Sequence, residues 1–139
     1  MTVGKRAERY SSMTIVEIRD LWTEAEFQRA VVNLAKSYGW GLQYHTFDSR
    51  LSAKGFPDLV LCNGRRVVFA ELKSARGKAS EEQLAWLAAL GDAGEEAFLW
   101  RPGDWDEIEG VLSGTALPGS RATEVAGGTG EFNHTEGRK

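Results

Sequence analysis

The stretch Asp58-Leu59-Val60-Leu61-Cys62-Asn63-Gly64-Arg65-Arg66-Val67-Val68-Phe69-Ala70-Glu71-Leu72-Lys73 decides the fold. Leu59 to Cys62 and Arg66 to Leu72 are rich in β-favouring residues, and the Asn63-Gly64 between them tolerates the positive backbone angles of a tight turn. The pattern predicts an antiparallel hairpin with Asn63 and Gly64 as its turn residues. Cys62 then pairs with Arg65, Leu61 with Arg66, Val60 with Val67, Leu59 with Val68 and Asp58 with Phe69. Side chains alternate faces along a strand, so Phe69, Glu71 and Lys73 share the face of Asp58, and Asp58 and Glu71 become diagonal neighbours.

Outward from the hairpin, the order of elements reads αβββαβα. Thr23 followed by Glu26 has the capping-box form, and Phe27, Ala30, Val31, Leu34, Ala35 and Tyr38 recur at helical spacing as far as Gly39. Trp40 to Phe47 reads as a strand and Asp48 to Gly55 as a polar loop. Beyond the hairpin, Ser80 is the expected N-cap of a second helix with Glu81, Glu82 and Gln83 in its first turn, running to Gly91 and Gly94. Ala97 to Arg101 reads as a strand, and Pro102-Gly103-Asp104 as a turn whose Asp caps a last helix, Trp105 to Leu112. From Ser113 onward the chain is rich in Gly, Thr and Ser and is expected to form a flexible tail. The expected division is an N-terminal extension over 1–20, one folded domain over 21–112 and the tail over 113–139.

Composition narrows the class. With 139 residues, 42% of them hydrophobic and 27% charged, the chain suits one folded domain, neither disordered nor collagen-like. No apolar run approaches the roughly 18 residues that span a bilayer, and Met1 to Arg9 is followed by no apolar signal stretch, so a cytoplasmic location is expected. One cysteine, Cys62, and two histidines, His45 and His134, are too few for an internal disulfide or a structural zinc site. Any metal must be held mainly by oxygen. The net charge of −3 hides a split: Arg50 to Lys78 carries +5 and the remainder −8. A basic middle in an acidic chain suggests one face made for phosphate.

Asp58 and Glu71, converging from neighbouring strands, can share a cation, with the Leu72 carbonyl as a third ligand. Oxygen ligands of this kind suit Mg²⁺ or Mn²⁺, which keep open positions for water and substrate phosphate. Lys73 falls beside that ion, where its amine could orient an attacking water and offset charge developing on phosphorus. Such a group is built for phosphodiester hydrolysis without a covalent enzyme intermediate. An acid and a lysine two residues apart are common at strand ends, where they face solvent. What narrows the pattern here is the company: Pro57-Asp58 before one strand, Glu71-x-Lys73 ending its partner, and a helix on either side.

Gly55-Phe56-Pro57-Asp58-Leu59 with Glu71-Leu72-Lys73 resembles the PD-(D/E)xK nuclease superfamily. Gly77-Lys78-Ala79-Ser80, Gln83, Trp86, Leu90 and Gly94 narrow the resemblance to the VRR-NUC family, over roughly Thr23 to Arg101. The resemblance implies an α/β fold: a restriction-endonuclease-like αβββαβ core with a mixed central sheet flanked by helices, here with an extra C-terminal helix. It also implies Mg²⁺ dependence, with Mn²⁺ as a substitute, and endonuclease action on branched DNA. Stand-alone phage and bacterial members resemble Holliday junction resolvases, which implies a homodimer. Carried over by position, Asp58 and Glu71 are metal ligands, the Leu72 carbonyl is a further ligand, Lys73 is the catalytic lysine, and the first-helix acid is Glu26. Glu26 has an equally complete role in its capping box, and Gln83 fits either an active-site contact or a polar place in a first helical turn.

Arg50, Lys54, Arg76 and Lys78 lie in loops flanking the expected metal face and as a group read as DNA contacts. Arg65 and Arg66 stand at the far tip, serving either a long substrate or the solubility of the turn. The five tryptophans read as core or interface residues and His45 as a structural histidine. Two other readings stand beside the junction nuclease. One is a nuclease for flaps, nicks or duplex with the same chemistry. The other is a non-catalytic DNA-binding module on the same scaffold, against which the acids speak, because carboxylates repel phosphate unless an ion intervenes.

Overall fold

The computed structural model describes residues 12–46 and 53–115. Within them the chain forms helix α1 (Ile15–Asp20), helix α2 (Glu24–Ser37) and strands β1 (Leu42–His45), β2 (Leu59–Cys62) and β3 (Val67–Leu72). Helix α3 (Glu81–Asp92), strand β4 (Glu96–Trp100), a single 3-10 turn (Pro102–Asp104) and helix α4 (Trp105–Ser113) follow. The sheet order is β1-β2-β3-β4, antiparallel except for the parallel pair β3/β4 that α3 connects. This is the mixed sheet flanked by helices that the sequence implies, and it has the restriction-endonuclease-like arrangement.

Alternation along the strands divides the sheet into two unlike faces. Leu59, Leu61, Val68, Ala70, Leu72, Phe98 and Trp100 form the wholly buried face. Against it α2 packs Phe27, Val31 and Ala35, spaced four apart on one stripe, and α4 packs Ile108, Val111 and Leu112. Each of the larger ones, Phe27, Val31, Ile108, Val111 and Leu112, contributes about 1.5–3 kcal/mol on leaving water. The other face carries Phe69, whose ring meets Phe56 edge-on at 6.4 Å, and Phe56 in turn meets Trp86 of α3 at 5.2 Å. Glu71 and Lys73 continue this second face towards the end of β3.

The hairpin differs from its sequence reading in register. Cys62 pairs with Val67, Leu61 with Val68, Val60 with Phe69 and Leu59 with Ala70, so the connection has four residues, Asn63 to Arg66. Asn63 Oδ1 accepts the N–H of Arg65 at 2.9 Å and of Arg66 at 2.7 Å, closing the loop with its side chain, while Gly64 takes φ +87°. The Arg66 carbonyl still accepts the Asn63 N–H at 3.2 Å, while its side chain clasps Glu96 through Nε and NH2 (2.8 and 2.5 Å) and the Val111 carbonyl through NH1 (2.9 Å), stacked on Trp40. A shift of two residues leaves every side chain on its expected face. Arg66 is therefore a structural clamp.

Other differences are local. Thr14 and Glu17 form a capping box that starts α1, an extra helix inside the expected N-terminal extension. The first strand is shorter than Trp40 to Phe47: Trp40 is buried ahead of it, and Phe47 lies outside the described residues. Asp104 does not cap α4; its Oδ2 accepts the Arg101 N–H at 2.9 Å and closes the 3-10 turn instead. Most of the expected tail, residues 116–139, lies outside the described residues.

Candidate active site

Four elements converge at one end of the sheet: the start of β2, the end of β3, the first turn of α2 and the first turn of α3. Asp58 is held there by its neighbours. Thr46, just past β1, donates its N–H to the Asp58 carbonyl (2.9 Å) and its hydroxyl to the Pro57 carbonyl (3.1 Å). From the other side, Trp86 Nε1 donates to the Lys54 carbonyl at 3.2 Å. Gly55, at φ +85°, lies so close to α3 that a Cβ would stand 2.4 Å from the Glu82 carbonyl carbon.

Continuing the β2–β3 register one residue past Leu59 and Ala70 puts Asp58 directly opposite Glu71 rather than diagonal to it. The two are interlocked. Asp58 donates its N–H to Glu71 Oε2 at 3.2 Å, and Leu72 donates its N–H to Asp58 Oδ2 at 3.1 Å. Glu71 is the one buried polar or charged residue among those described, 1% exposed. Its Oε1 accepts from Gln83 Nε2 at 2.7 Å and lies 3.4 Å from Lys73 Nζ. Burial first, then the neighbouring Asp58, pushes the Glu71 carboxyl up to about 8, against the opposing pull of Lys73.

Glu24 supplies a third acid. One carboxylate oxygen each from Glu24, Asp58 and Glu71 lies within 4.8 Å of the others. Lys73 Nζ is 3.8 Å from Glu24 Oε1 as well as near Glu71, so a single amine faces two acids. This donor set fits a hard divalent cation, which takes oxygen ligands and relieves the cost of a buried carboxylate whose neighbour is another carboxylate.

The acid that reaches the cluster is Glu24, not Glu26. Glu26 sits at the third position of α2, where its N–H is 3.1 Å from Thr23 Oγ1 and its Oε1 accepts the Thr23 hydroxyl at 3.2 Å. Successive helical residues turn by about 100°, so residues two apart point to nearly opposite sides. The sequence signal for Glu24 is its place as first residue after the Thr23 cap, where a side chain can extend past the helix end towards the strand termini.

Gln83 does both things the sequence left open. Its Oε1 accepts the Ser80 N–H at 2.8 Å, completing the capping box of α3, while its Nε2 bonds Glu71. Lys54, Arg76 and Lys78 are exposed around the site, Lys54 paired to Glu82 at 3.1 Å; Arg50 lies outside the described residues. His45 Nδ1 lies 2.6 Å from Gln28 Nε2, a structural partner on α2. Trp40 and Trp100 are buried, and Trp22 and Trp105 pack against the same core.

A mixed sheet with Pro57-Asp58 opening one strand and Glu71-Leu72-Lys73 closing the next, both acids brought to one point, defines a nuclease of the PD-(D/E)xK type. The VRR-NUC domain profile matches residues 8–101, and the chain belongs to that family. The match takes in α1, ahead of the motif-bearing part. Neither the curated proteins nor the solved structures provide a significant match.

Proposed function

We propose that this nuclease is a Mg²⁺-dependent endonuclease, with Mn²⁺ as a substitute, that hydrolyses phosphodiester bonds in branched DNA in the manner of a Holliday junction resolvase. The observation carrying the hydrolytic part is the meeting of Glu24, Asp58 and Glu71 oxygens within 4.8 Å, with the Lys73 amine against two of them. The branched substrate and a homodimer bringing two such sites to opposing strands rest on family membership alone.

Asp58, Glu71 and Glu24, with the Leu72 carbonyl, would hold the cation, whose chemistry is to polarise a phosphoryl oxygen and acidify water. The chain's own residues arrange the rest. Gln83 fixes one oxygen of Glu71 and the Asp58 N–H the other, so the carboxylate does not swing away from the site. Lys73 Nζ can hold a water at the acid cluster and donate towards charge accumulating on phosphorus. Lys54, Arg76 and Lys78, exposed around the site, would contact flanking phosphates, and Arg50 joins them on the sequence reading alone.

The test is cleavage of four-way junctions, flaps, splayed arms and duplex with Mg²⁺ and Mn²⁺, read at nucleotide resolution. Paired symmetric nicks across a junction are expected, and Asp58→Ala or Glu71→Ala should lower the rate at least about 10²-fold with the fold intact. Retained cleavage by both variants overturns the mechanism. Cleavage confined to flaps or duplex overturns the junction assignment, and metal-indifferent DNA binding with no cleavage favours a binding module.

A further inference from the structure

Arg101 follows β4 and has no part in the acid cluster, yet it is tied to the segment that leaves the cluster. Leu72 pairs with Trp100 in the parallel ladder, and Lys73 donates its N–H to the Trp100 carbonyl at 3.0 Å, so Arg101 is the next residue alongside Lys73. Strand alternation puts both on the face that carries Glu71. From there Arg101 NH1 donates to two carbonyls of the turn that follows Lys73: Ser74 at 2.8 Å and Gly77 at 2.6 Å. The same turn is closed from within by the Gly77 N–H, 3.2 Å from the Ser74 carbonyl and 3.1 Å from Ser74 Oγ. It is also tight: a Cβ on Gly77 would lie 3.1 Å from Ser74 Oγ and 3.6 Å from Lys73 Cβ.

Arg101 is itself held in place. Its N–H is bonded to Asp104 Oδ2 and its carbonyl accepts the Asp104 N–H, both at 2.9 Å, and among the described residues no carboxylate forms an ion pair with it. A half-buried guanidinium spent on two carbonyls of one turn, with no acidic partner among the described residues, is a brace.

We infer that Arg101 is a positioning residue for the reaction: by clamping the Ser74–Gly77 turn it fixes the direction in which Lys73 leaves β3 and presents its amine to Glu71 and Glu24. The inference rests on the catalytic reading of Lys73. A turn released at Ser74 and Gly77 lets the Lys73 backbone pivot about its single bond to Trp100, and small misplacements of a reacting group are costly to the chemical step.

The experiment compares Arg101→Met, which keeps length and loses the donors, with Arg101→Lys, which keeps donors able to reach the carbonyls. Single-turnover cleavage, DNA affinity at several salt concentrations and amide hydrogen exchange are measured on the full chain. Expected for Arg101→Met are a cleavage rate lower by roughly 10- to 100-fold, affinity and its salt dependence within about twofold of the parent, and faster exchange at Gly77 with Leu72 unchanged. Arg101→Lys should recover most of the rate. A loss confined to affinity, or a shallower salt dependence, overturns the inference, because Arg101 would then contact phosphate itself. Exchange accelerated equally at Leu72 overturns it in favour of a general stabilising role, as does an unchanged rate. If the parent chain does not cleave, the proposed function fails, and unchanged Gly77 exchange in Arg101→Met still overturns the brace separately.

Discussion

Asp58 and Glu71 stand face to face across the β2–β3 ladder, and the backbone N–H of Asp58 is bonded to the Glu71 carboxylate. Two acids meet here with one close amine, Lys73. The Glu71 carboxyl, raised from an ordinary 4.5 to about 8, holds its proton more tightly in the folded chain than in the unfolded one. Its contribution to stability is therefore fully present below about pH 4.5 and is lost as pH rises through about 8. In EDTA the melting temperature should fall over that window, Glu71→Gln should flatten the fall, and added Mg²⁺ should stabilise more at the alkaline end, where the carboxylate is free to bind it. Thermal melts of both proteins across pH, with and without Mg²⁺, check this. A pH-independent Mg²⁺ effect counts against Glu71 as a ligand.

Glu24 and Glu26 lie two residues apart on α2 and face different partners. Glu24→Gln should weaken Mg²⁺ binding and slow cleavage by roughly 10- to 100-fold, whereas Glu26→Gln should leave cleavage within a few-fold and cost at most about 1 kcal/mol of stability at the helix start. Isothermal titration with Mg²⁺ and urea unfolding separate the two effects. The opposite ranking would return Glu26 to the role that family resemblance gave it.

Gly55 has no room for a side chain, since an added Cβ would fall within 2.4–2.7 Å of three Glu82 atoms. Gly55→Ala combines that overlap with a left-handed backbone and should cost about 3 kcal/mol. Because Gly55 leads directly into Phe56-Pro57-Asp58, folded molecules of the variant should also cleave more slowly. Urea midpoints and activity per folded molecule are the readouts.

Arg66 makes its bonds to Glu96 and the Val111 carbonyl at the opposite end of β3 from Glu71. Arg66→Met should cost about 2 kcal/mol by leaving both acceptors without their donor, and pairing it with Glu96→Met should recover part of the loss. Cleavage per folded molecule should stay unchanged in either variant, measured alongside urea unfolding.

Much of the fold and the identity of the principal acids were legible in local pattern. Period-four apolar spacing in α2, the Ser80 cap of α3 and the alternation in β2 and β3 are short-range signals, and they place Asp58 and Glu71 on one face for a two-residue and a four-residue connection alike, because the two registers differ by an even step. The register was not legible, because Asn63-Gly64 permits a two-residue turn, whereas in the fold the Asn63 side chain takes up the Arg65 and Arg66 N–H groups and the remote Glu96, Val111 and Trp40 hold the Arg66 side chain. Ile15 to Asp20 is too short for periodicity to show helix α1, and its one local signal is the Thr14-x-x-Glu17 capping box.

What the sequence determined alone, then, is an acid before one strand, an acid and a lysine ending the next, and the family that carries this spacing. Tertiary structure decided which first-turn acid joins them, that Gln83 serves cap and site at once, and that Arg101 reaches back across the sheet. The physical reason is range. Alternation, capping and helical period act over a few residues, whereas where Glu24 or Arg101 ends depends on how whole helices and strands pack, which no local pattern encodes.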